Sequence, residues 1–223
     1  LDGGIIVNTA DKIHIGSVAG AAKGGAVFSG IESSVVIIGS TVVVKHVGGI
    51  VGSSQFGSDG LLIEKCTFSG NILVQGSGDC IGGILGYANY GVTIRDCAST
   101  GQVYGESGAL YVGGILGYIN SASFGGITGC YATGKISSGF GIGYIKNCAA
   151  STVYNNCYMK GTTPYGGERA SLCTASEVTE ADLASGRLTW LLNGAANDGA
   201  GIWKQTLGTD ERPKFVGGTV YRK

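Results

Sequence analysis

The side chains with most chemical capacity are seven cysteines, two histidines and eleven tyrosines in a chain of 223 residues. The cysteines are Cys66, Cys80, Cys97, Cys130, Cys148, Cys157 and Cys173. An odd number cannot all pair, and no two have the CxxC spacing of a zinc site. Cys66, Cys97, Cys130 and Cys157 recur at intervals of 31, 33 and 27 residues, each with a glycine four residues on: Gly70, Gly101, Gly134 and Gly161. Stacked at those intervals they come within disulfide range, but their Cβ vectors run parallel instead of converging. We read them as a buried ladder of free thiols that behave as small hydrophobes. Pairing of Cys80 or Cys173 stays open.

His14 and His46 are the only histidines. Neither has a ligand-spaced partner, so both read as surface or turn residues and no metal site is expected. No spacing supports a Ser/His/Asp or Cys/His machine. The carboxylates Asp59, Glu64, Asp79, Asp96 and Glu106 stand singly. A polysaccharide lyase would cluster them for Ca²⁺ beside a basic residue, and no two share a repeat position. Gly24-Gly25 and the run from Gly139 to Gly143 lack the Lys-Ser/Thr of a phosphate loop. No catalytic residue and no cofactor is expected. Tyrosines offer the alternative to catalysis. Tyr87, Tyr118 and Tyr144 each follow a motif-closing glycine and should form a column, while Tyr131 and Tyr158 follow cysteines and should point outward. An exposed aromatic row would bind sugar rings or a protein partner; the competing reading is a structural ladder packed on itself.

Positioning these side chains falls to a repeat. Val47-Gly48-Gly49-Ile50-Val51-Gly52, Ile81-Gly82-Gly83-Ile84-Leu85-Gly86 and Val112-Gly113-Gly114-Ile115-Leu116-Gly117 match closely, and a worn copy ends at Gly143. An earlier copy without cysteine would place Val35 and Gly39 over Cys66 and Gly70. After each cysteine the residues alternate: Cys97, Ser99, Gly101 and Val103 on one face, Ala98, Thr100 and Gln102 on the other. Period two marks a strand with one apolar or small face. A lone strand cannot bury that face, but equivalent strands stacked parallel about 4.8 Å apart can. About thirty residues leave room for two or three short strands per coil. With the cysteines aligned, Glu64 lies over Arg95 and Lys65 over Asp96, which favours this register over a slipped one.

The expected fold is all-β: a right-handed parallel β-helix of five or six coils over residues 1–165, then a small α-containing C-terminal cap over 166–223. Charges and both tryptophans concentrate in the tail. There Ser176 or Thr179 reads as the N-cap of a helix with acids in its first turn. Leu183, Leu188, Trp190, Leu191, Leu192 and Trp203 would cover the open end of the solenoid. The 43 glycines without triplet order exclude collagen, and 43% hydrophobic residues exclude a disordered linker. Charge is 13% and balanced, with no basic footprint for nucleic acid and no polybasic membrane patch. No apolar stretch is long enough to span a bilayer as a helix. The chain opens inside a repeat, so it is expected to belong to a longer protein.

The three hexapeptides, each followed by an Ile-x-x-Cys segment (Ile63 to Cys66, Ile94 to Cys97, Ile127 to Cys130) and with Asn156-Cys157-Tyr158 closing the series, resemble the GLUG-repeat family of bacterial surface proteins. The likeness covers roughly residues 15 to 161, and the tail is similar to segments that follow such repeats in gut-bacterial surface proteins. It implies a secreted or cell-surface location and a non-enzymatic adhesin or spacer role, with a glycan or protein of a host or neighbouring cell as partner. The runner-up expectation is a module that binds or degrades polysaccharide.

Overall fold

The structure is a computed structural model that describes residues 1–9, 12–40, 43–55, 57, 59–106, 108–137, 139–147, 154–155, 157–161, 163–168, 173–195 and 201–216. Cys148 and Asn156 lie outside the described residues. The chain winds as a parallel β-solenoid of about four turns, fewer than the five or six expected. One turn runs Val36–Gly39, Val44–Gly48, Val51–Ser54, Leu61–Glu64 and Thr67–Phe68. Five short strands therefore make a turn, against the two or three expected. Strands of two to five residues suffice because each is held by its equivalents in the turns above and below. These equivalents form five parallel sheets of, in the same order, four, four, six, five and six strands.

The strand before Ile31, Cys66, Cys97 and Cys130 ends in a left-handed corner. Gly30, Lys65, Asp96 and Gly129 occupy equivalent places at φ 67°, 51°, 52° and 63°. The cysteine that follows turns inward, and its thiol donates to the carbonyl two residues back: Cys66 to Glu64 O at 3.2 Å, Cys97 to Arg95 O at 3.2 Å, Cys130 to Thr128 O at 3.3 Å. With Cys157 these thiols are buried, and none forms a disulfide; nor does Cys80 or Cys173.

The first turn departs from the expected alignment. Val35 does not stand over Cys66: Thr67 pairs with Glu32 and Ile72 with Ile37, so Ile31 takes the cysteine position and Val35 lies over Gly70. Between the paired residues Ala22/Ser54 and Val27/Leu62 the second turn carries three residues more than the first. This insertion lengthens the offset from 32 to 35 residues, which an unbroken 31-residue period cannot accommodate.

Apolar side chains fill the interior without a break, from Ile37 through Ile72, Ile94 and Ile127 to Ile145. Glycine makes this packing fit. Gly49, Gly83 and Gly114 face Phe68, Ser99 and Ala132 across the core, and a Cβ at Gly49 would lie 2.4 Å from the Phe68 ring.

Two short helices follow, α1 (Glu180–Ala184) and α2 (Arg187–Leu192). Thr179 is the N-cap of α1, closing a capping box with Asp182. The tail covers a flank of the solenoid. Leu183, Leu188, Leu192 and Trp203 bury against Ala98, Tyr131 and Tyr158, the outward positions of three successive turns. These four side chains thus lie on a flank, where the outward column supplies an apolar strip that water would otherwise wet, while Ala175–Glu177 of the same tail adds a parallel strand beyond Cys157–Met159 at the end of the winding. Among the described residues no helix is long and apolar enough to cross a membrane.

Candidate binding surface: a crease lined with rings

Each hexapeptide bends the chain sharply between the second and third sheets. A Cβ at Gly48 would lie 1.8 Å from Val51 O, and one at Gly86 would lie 2.7 Å from Val47 N. Only glycine lets the two strands fold backbone on backbone in this way. The register carries His14, His46, Cys80 and Tyr111 along one wall of this crease. It carries Tyr87, Tyr118 and Tyr144 along the other.

The rings form a continuous file. His14 and His46 are 4.8 Å apart between centroids. His46 stacks on Tyr87 at 4.3 Å with planes 10° apart. Tyr87 stacks on Tyr118, and Tyr118 on Tyr144, each at 5.7 Å. Tyr111 wedges between Tyr118 and Tyr144 at 4.4 and 4.5 Å, and Phe140 meets Tyr144 at 5.8 Å. The expected column of Tyr87, Tyr118 and Tyr144 is therefore present, with neighbours on both faces of Tyr87 and Tyr118. Burial raises the phenol pKa of Tyr87 and Tyr111, and that of Tyr118 to about 12, so all three stay protonated hydrogen-bond donors near neutrality. The Tyr87 hydroxyl donates to Asn89 Oδ1 at 3.2 Å.

Tyr131 and Tyr158 are not part of an exposed row. They leave the solenoid wall in the expected direction, but their relative exposures are 1% and 7% because the tail lies over them. Tyr131 packs edge-on to Trp203 at 5.2 Å and donates its hydroxyl to Pro213 O at 2.6 Å. Their burial was hidden from the sequence because the covering residues come from a non-repeating segment up to 82 positions away.

The histidines, read as isolated, are brought together. His14 Nδ1 and His46 Nδ1 lie 2.9 Å apart, and His14 Nε2 lies 2.6 Å from Gln55 Nε2. Burial and the neighbouring His14 and Lys45 lower the His46 pKa to about 4, and burial lowers that of His14. The missed signal was their separation of 32 residues, one turn of the solenoid.

Of the charges predicted to stack, Arg95 donates to Glu64 from Nε at 2.7 Å and Nη2 at 2.5 Å. The described residues contain no group of three or more His, Cys, Asp and Glu able to hold a metal. No protein-family model, no curated protein and no solved structure matches the chain. The resemblance to GLUG repeats therefore rests on the hexapeptides and Ile-x-x-Cys segments alone.

Proposed function

We propose that this chain is a rigid structural spacer of a bacterial surface or secreted protein, a right-handed β-helix of GLUG type that holds other parts of its protein at a distance. The observation that carries this reading is the stacking of the rings against one another. A sugar binds an aromatic platform through an open ring face. Tyr87 and Tyr118 have both faces covered by neighbouring rings, so they offer edges and hydroxyls instead. The file then acts as mortar along the crease, and the unbroken interior resists bending. The thiols of Cys97 and Cys130 are compatible with an oxidising exterior, since burial raises their pKa and removes the thiolate that oxidation needs.

The adhesin reading, with a glycan or protein partner, keeps a foothold in the partly exposed edges of Tyr87, Tyr111 and Tyr144. An array of glycans and extracellular matrix proteins separates the two. A spacer gives no saturable binding. Saturable binding abolished by Tyr87→Ala or Tyr144→Ala overturns the spacer reading in favour of the adhesin.

A further inference from the structure

We infer that His14 and His46 form a two-imidazole chelate for a divalent transition-metal ion of tetragonal preference, with Cu²⁺ as the ion of best fit. The two rings come from neighbouring turns, in register, with their Nδ1 atoms 2.9 Å apart. Two metal–nitrogen bonds of about 2.0–2.1 Å at a right angle place their nitrogens roughly 2.8–3.0 Å apart, whereas a tetrahedral angle needs about 3.3 Å. The observed separation suits the square arrangement. Among divalent first-row ions, Cu²⁺ combines that geometry with the highest affinity for nitrogen ligands.

A second observation concerns the other nitrogen of His14. Metal-bound histidines usually donate their remaining ring N–H to a neighbouring acceptor, which fixes the tautomer. Gln55 stands 2.6 Å from His14 Nε2, and turning its amide over presents Oε1 to the Nε2–H. His46 is held from its far side by the Tyr87 ring at 4.3 Å. Both imidazoles are thus held in place before any ion arrives. Both rings are partly exposed, so an ion can reach them and water can complete its coordination. In the free protein the same two nitrogens share one proton in an N–H···N bond. Binding replaces that bond, and each ring then carries its proton on Nε2.

The test is titration of the full, untagged chain with Cu²⁺ in a non-coordinating buffer, followed by calorimetry and electron paramagnetic resonance. One equivalent should bind, with hyperfine structure from two imidazole nitrogens. His14→Ala and His46→Ala should each weaken binding at least about tenfold, and Gln55→Ala by roughly tenfold through loss of orientation. His46→Phe keeps a ring on Tyr87, so it should lose the ion while retaining the wild-type circular dichroism. Absence of saturable binding in the wild type, a one-nitrogen spectrum, or binding that survives His14→Ala or His46→Phe would overturn the assignment.

Discussion

At the scale of single residues, the fold depends on positions where nothing larger fits. Gly49 lies under the Phe68 ring and beside the Gly83 carbonyl, where a Cβ would stand 2.0 Å from the oxygen. The oxygen belongs to backbone, so the strain cannot be relieved by a side-chain rotation. Gly49→Ala should destabilise the protein by about 1–3 kcal/mol, as overpacking does, measured by chemical denaturation. Cys97 is fully buried, and its thiol already has a carbonyl to donate to. Cys97→Ser should cost about 1 kcal/mol, the low end for burying a hydroxyl, because Arg95 O can receive it. A melting temperature unchanged by that substitution would argue against the buried ladder.

At the scale of elements, α1 is too short to persist by propensity alone and relies on its cap. The Thr179 backbone N–H and hydroxyl bind the Asp182 carboxylate, with Arg187 adding to them, and hold its pKa below the ordinary 3.8. A depressed carboxylate stabilises the folded state fully above its unfolded pKa, and the contribution disappears as pH falls through the folded value. Acid titration should therefore loosen the docked tail, read as a change in the combined fluorescence of Trp190 and Trp203, and Asp182→Asn should remove that part of the pH dependence. A helix start was legible from its acids, since capping is local chemistry, but Ser176 and Thr179 both fitted as N-cap, and the structure selects Thr179 while Ser176 lies in a strand. The four-fold repeat of the left-handed corner was less legible, because two of its places are held by Lys65 and Asp96 instead of glycine.

At the scale of the molecule, solenoid and tail meet along one apolar strip. Trp203 is fully buried, contacting Tyr131 at 5.2 Å and Phe215 at 4.4 Å. Trp203→Ala should cost about 3–5 kcal/mol, the range for deleting a buried aromatic. The loss should fall on the tail, because each turn of a solenoid is stabilised chiefly by its neighbours. Limited proteolysis should then cut near α1 and α2 while residues 44–132 stay protected. Simultaneous cleavage throughout would mean that the solenoid needs the tail to fold.

The recurrence of hexapeptide, Ile-x-x-Cys and glycine by itself determined a stacked parallel solenoid, the inward cysteines and the Glu64–Arg95 pair. Those features depend on alternation and period, both of which are properties of neighbouring residues. Tertiary structure decided the rest. It set five strands to a turn and slid Ile31 under Cys66 through an insertion elsewhere in the winding. It laid the tail over Tyr131 and Tyr158 and brought His14 to His46. Each of these depends on how chain segments distant in sequence share one surface, and burial is settled by what lies opposite a side chain, which no repeat pattern encodes.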